Sequence, residues 1–177
     1  GLMALDGQGV AKDQAEAAKW LRRAADQGFA LGQSNLGLLY VKGAGVPEDA
    51  QEAFKWTRLA AEQGLAAAQV NLGLMYDKGM GVAQDTTAGT QWLQRAADQG
   101  LAEAQANLAM RYVKGQGVGQ DDREAVKWLR RAADQGLAVA QSNLALMYVK
   151  GQGVAQDRAV AYHWYRLAAL QGDPAAA

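Results

Sequence analysis

The residues of this chain that could do chemistry are few and poorly placed for it. There is one histidine, His163, two serines, Ser34 and Ser142, and no cysteine. A serine nucleophile needs a base within hydrogen-bond reach. His163 instead shares a register with Lys19, Lys55 and Lys127, a position read as solvent-facing on a helix, and no serine lies near it in register. Without cysteine there are no disulfides, thiolate metal sites or thiol nucleophiles. The carboxylates fall mostly where helix caps and helix dipoles account for them, and no ligand cluster for a metal is apparent. Glycine pairs such as Gly79-Met80-Gly81 invite comparison with phosphate-cradling loops. No Gly-x-Gly-x-x-Gly occurs, however, and their recurrence marks a turn. The sequence therefore predicts neither catalysis nor a metal or organic cofactor.

What does recur is an amide. The only asparagines, Asn35, Asn71, Asn107 and Asn143, stand 36 residues apart. An amide both donates and accepts, so a ladder of four suits an extended peptide backbone. The same constancy would follow if each amide bonded a backbone group between adjacent helices and fixed their packing.

The elements that must carry these amides follow the same period. Trp20, Trp56, Trp92, Trp128 and Trp164 keep it, as do Gly28, Gly64, Gly100, Gly136 and Gly172. A fixed period of this size signals a repeat architecture. One unit reads as two helices. The first runs from about Ala30 to Lys42, with Gly32, Leu36, Gly37 and Tyr40 as a narrow stripe for close contact, ending in a cationic turn and glycine. After the loop Gly43-Ala44-Gly45-Val46-Pro47-Glu48, Asp49 is placed as N-cap with Glu52 completing a capping box, an arrangement repeated by Asp13 with Glu16 and Asp121 with Glu124. On the second helix Ala53, Trp56, Thr57 and Ala60 form a buried stripe, and the tryptophans are expected in the core. Neither helix can bury its face alone, so pairs must stack into one all-α superhelical solenoid. Complete units are placed at 29–64, 65–100, 101–136 and 137–172, with a partial unit at 1–28 and the start of another at 173–177, in a single array over 1–177. The segment Asp85-Thr86-Thr87-Ala88-Gly89-Thr90 is expected to make the weakest helix, since glycine costs about 1 kcal/mol against alanine.

Binding specificity should lie where units differ on the face that carries the asparagines. Three registers qualify: Leu31, Ala67, Glu103 and Val139; Ser34, Val70, Ala106 and Ser142; and Val41, Asp77, Val113 and Val149. Free drift of surface positions would give the same variation. Lys42, Lys78, Lys114 and Lys150 form a basic column at the first-helix ends, suited to steering an acidic partner or to complementing the helix dipole. Arg111 replaces the Leu39, Met75 and Met147 of the other units, as a specific contact or a snorkelling substitution.

Eighteen basic and eighteen acidic residues balance, which argues against nucleic acid or an anionic membrane as partner. No stretch reaches the roughly 20 apolar residues of a membrane span, and the first residues lack a signal-peptide pattern. The pattern begins and ends mid-unit, as expected of a piece of a longer protein.

The run Ala68-Gln69-Val70-Asn71-Leu72-Gly73-Leu74-Met75-Tyr76, then Gly79-Met80-Gly81-Val82, Trp92 and Ala96-Ala97-Asp98-Gln99-Gly100, resembles the Sel-one-like repeat family, a relative of the tetratricopeptide repeats. The likeness covers essentially the whole chain. It implies an α/α solenoid whose first helices line a concave face, in a family of mostly bacterial, often exported adaptors. The function it implies is a non-catalytic scaffold binding a protein or peptide, or else an inhibitor or immunity-type protein that blocks an effector enzyme.

Overall fold

The computed structural model describes residues 13–172, which contain helices and turns and no strand; the expected end fragments at 1–12 and 173–177 lie outside them. The helices are α1 (Gln14–Asp26), α2 (Ala30–Lys42), α3 (Ala50–Glu62), α4 (Ala66–Lys78), α5 (Thr86–Asp98), α6 (Ala102–Lys114), α7 (Asp122–Asp134), α8 (Ala138–Lys150) and α9 (Arg158–Ala169). The chain divides into two compact units, Gly1–Trp92 and Leu93–Ala177. In the first, α1 packs on α2, α2 on α3 and α3 on α4; in the second, α6 packs on α7, α7 on α8 and α8 on α9.

Local chemistry sets the ends of these helices. Gly43, Gly79, Gly115 and Gly151 take left-handed conformations just past α2, α4, α6 and α8, the geometry that closes a helix and that glycine adopts without strain. Asp49 accepts from the backbone N–H groups of Gln51 and Glu52 at 2.9 and 3.0 Å, and Asp121 and Asp157 repeat this at α7 and α9. The capping box itself is only half formed. The backbone N–H of Asp49 donates to the Tyr40 carbonyl, as those of Asp121 and Asp157 donate to Tyr112 and Tyr148, so the following glutamate has nothing to bond there. Glu52 turns instead to Lys55, the Trp56 indole N–H and Arg22. Its hydrogen bond with Lys55 is the main influence holding the carboxyl below its ordinary range, against the opposing effect of burial.

The second glycine of each loop has a separate task. At Gly81 a Cβ would lie 2.0 Å from the Ala50 carbonyl oxygen, and at Gly45 and Gly153 it would meet the carbonyls of Gln14 and Asp122 at 2.0 and 2.1 Å. Each of these three loops thus leans on the first turn of the second helix of the preceding pair, and only a missing side chain permits it.

The core is a file of small residues and leucines. Ala18, Leu21 and Ala25 of α1 meet Leu36 and Leu39 of α2 and Trp56 of α3; Ala60 and Ala61 of α3 meet Ala68 and Leu72 of α4. Gly32 and Gly37 allow the expected close approach, since a Cβ would reach Ala24 at 2.8 Å and the Thr57 hydroxyl at 2.5 Å. Trp56, Trp128 and Trp164 are buried, but Trp20 is 49% exposed. The tryptophan of α3 is covered by the helix pair before it, and no described helix precedes α1 to do the same for Trp20. Gly89 also has a packing role. A Cβ there would meet the Gly73 carbonyl oxygen at 2.8 Å and the Asp77 carboxylate at 2.7 Å, so this glycine fits a close helix contact whatever its helix propensity.

Candidate partner-binding face

The side chains that tie one pair to the next are glutamines. Gln33, Gln69, Gln105 and Gln141, each two residues before an asparagine, are buried and donate to the carbonyls of Ala25, Ala61, Ala97 and Ala133 at 3.1–3.3 Å. Gln33, Gln105 and Gln141 also accept from Gln63, Gln135 and Gln171 at 2.7–3.0 Å. Gln33 thereby joins α1, α2 and the end of α3, meeting the requirement that a buried amide find partners. Removing one such side chain, as at Gln141, takes out one buried and one part-buried hydrogen bond. Gln141→Ala is expected to lower unfolding free energy by about 2 kcal/mol in urea titrations, and a loss below about 0.5 kcal/mol would contradict the bridging role.

With packing in the hands of the glutamines, the asparagines are left at the surface. Asn35, Asn71 and Asn143 are half-buried and Asn107 is exposed. The Asn35 amide donates to the Leu31 carbonyl of its own helix at 2.9 Å; among the described residues it makes no bond to a neighbouring helix.

The other predicted positions separate by burial. Leu31 and Val139 are 64% and 57% exposed, and Ala67 and Glu103 are exposed with them. Ser34, Ala106 and Ser142 are buried and Val70 half-buried, so this register faces largely inward and offers little to a partner. Val41, Asp77 and Val113 are half-buried, while Val149 is exposed. Lys42, Lys78, Lys114 and Lys150 are all exposed in the last turns of their helices. Arg111 is 9% exposed: it occupies the buried stripe of Leu39, Met75 and Met147, not an open face. His163 is exposed against the edge of Trp164, both serines are buried, and no group of three or more potential metal ligands occurs among the described residues.

A register absent from the sequence-based expectations completes the face. Three residues after each asparagine stand Leu38, Leu74, Met110 and Leu146, and the three leucines are 36–46% exposed. Leucines alternating with buried Leu36 and Leu39 read as core in a sequence; the distinguishing signal was their place one helical turn beyond the asparagine. In the first unit this register opens into a groove of about 140 Å³. Leu38 and Val41 of α2 form one wall, Asn71, Leu74, Met75 and Lys78 of α4 with Met80 the other, and Thr57 of α3 contributes to the lining.

The Sel1 repeat family model matches residues 1–29, 30–65, 66–101, 102–137 and 138–173. Among solved structures the chain is similar to a protective antigen of uropathogenic Escherichia coli with an SLR fold, at 38% identity and TM-score 0.96 over 99% of this chain and 38% of that one. It is similar as well to a Sel1 repeat protein from Oxalobacter formigenes, at 38% identity and TM-score 0.91 over 97% of this chain and 71% of that one. An immunity protein of Pseudomonas aeruginosa is 26% identical, with TM-score 0.56 over 90% of this chain and 58% of that one. The chain thus spans well under half the length of the Escherichia coli antigen. No curated protein matches the sequence.

Proposed function

Since the chain belongs to the Sel1 repeat family, whose members are generally protein-interaction scaffolds, we propose that it is a non-catalytic interaction module that holds a segment of a partner protein against its first helices. The observation that carries this reading is the pair of exposed leucines of the first unit, Leu38 and Leu74, beside Asn35 and Asn71. Apolar side chains left in water one turn from an amide, with packing already served by glutamines, suit a protein ligand better than they suit the fold. Asn35 and Asn71, both in the first unit, supply the amides that fix the register of the bound backbone.

The likeness to an immunity protein of Pseudomonas aeruginosa favours a second reading, in which the same face holds and silences one enzyme. The two readings differ in consequence: a scaffold retains its partners in working form, and an inhibitor abolishes the activity of a single tightly held one.

Affinity capture from the cells that make the protein, comparing the chain with an Asn35→Ala, Asn71→Ala variant of equal stability, tests the site. A protein retained by the original and released from the variant is the expected result, and assay of its activity separates scaffold from inhibitor. Equal capture by both chains would remove the asparagine face from consideration.

A further inference from the structure

The charges of this balanced chain are unevenly distributed over its helices. Of eighteen acidic residues, only Asp77 and Glu103 lie in α2, α4, α6 and α8, whereas these four helices carry the basic residues Lys42, Lys78, Lys114, Lys150 and Arg111. In the first unit the bias is sharper still. The Asp77 carboxylate lies against Gly89 of α5 and is not among the groove's lining residues, while Lys78 is one of them. The acids of α3 and of its N-cap are occupied elsewhere: Asp49 caps α3, Glu52 holds Lys55, Arg22 and Trp56, and Glu62 pairs with Arg58.

Resting on the scaffold reading above, we propose that the groove between α2 and α4 takes a partner segment that presents one bulky apolar side chain beside carboxylates. Its volume of about 140 Å³ is close to that of a cavity of about 150 Å³ that admits a benzene ring, so a phenylalanine or leucine fits where two would not. Leu38, Val41, Leu74 and Met80 supply the apolar lining, and the methionine side chain adapts to the shape of what enters. Lys78 lines the groove in the last turn of α4, where it meets the carboxylates; Lys42 holds the same register in the last turn of α2. Charge of this kind at a rim selects among partners and speeds their encounter more than it adds affinity.

Fluorescence anisotropy with three labelled peptides tests this: a phenylalanine flanked by glutamates, the same peptide with lysines for glutamates, and the glutamate peptide with alanine for phenylalanine. The glutamate–phenylalanine peptide is expected to bind at least about tenfold more tightly than either other, a difference of about 1.4 kcal/mol. Leu74→Ser and Lys78→Gln, both at exposed positions and checked for unchanged helicity, should each weaken it several-fold, and only the lysine variant should flatten its salt dependence. Preference for the lysine peptide, with Leu74→Ser still weakening binding, would overturn the acidic partner while leaving the scaffold reading intact. Binding that ignores both substitutions, or no binding by any peptide, would overturn the groove as the site.

Discussion

Replacing Gly81 with alanine is expected to destabilise the first unit by about 3 kcal/mol or more. Two effects add. A non-glycine residue in the left-handed region costs about 1–2 kcal/mol, and Gly81 sits there with φ 70°. Its new methyl would also fall 2.0 Å from the Ala50 carbonyl oxygen and 3.0 Å from the Phe54 Cβ, forcing the loop away from α3 at an overpacking cost of about 1–3 kcal/mol. Gly64 provides the control, because its φ of 89° is equally left-handed but nothing lies within 4 Å of its missing Cβ. Gly64→Ala should therefore cost only the conformational part, about 1 kcal/mol. Urea unfolding of both variants measures the difference. Equal losses would mean that the loop does not bear on the neighbouring helix.

Leucines two residues apart should behave as opposites. Leu72 is 0% exposed and Leu74 46%, although both lie in the middle of α4. Leu72→Ala leaves a void among Ala60, Ala61 and Ala68, whose short side chains cannot close it, and should lower stability by about 3–4 kcal/mol. Leu74→Ala removes a side chain already half in water and should change stability by less than about 1 kcal/mol, while weakening partner binding. Thermal and urea unfolding give the first comparison and capture of the partner the second. A large stability loss at Leu74 would return that column to the core and withdraw the argument built on its exposure.

These contrasts mark where sequence reading succeeds. The boundaries of α2, expected at Ala30 and Lys42, are those observed, because a glycine C-cap and an aspartate N-cap are local chemistry repeated in every unit. The family resemblance rested on those same repeated residues. Gln33 and Gln63 were equally periodic, yet an uncharged amide reads as surface until a neighbouring helix supplies its acceptor. Leu38 and Leu74 went unmarked, since an apolar residue gives no sign that the helix facing it is missing. Trp20 shares the register of Trp56, but burial depends on what packs against a side chain and not on its register. Gly89 looked like a weak point in a helix because propensity is a property of one segment, whereas the clash that excludes a side chain there belongs to two.

The glutamine bridges bear on how such a chain acquires its structure and changes its length. Gln63 to Gln33, Gln135 to Gln105 and Gln171 to Gln141 each span 30 residues, a separation that stays the same however many pairs the chain contains. Contacts of fixed and modest range keep relative contact order low as chains lengthen, so folding spreads from pair to neighbouring pair without a search over the whole polypeptide. Gln33, Gln69, Gln105 and Gln141 also carry a donor from one pair to an alanine carbonyl of the pair before. A gene duplication or deletion of one full period therefore leaves every surviving donor opposite an acceptor, whereas a change of any other length breaks the bridge at the join. The amides act as a reading frame for the fold, permitting growth and loss only in whole steps.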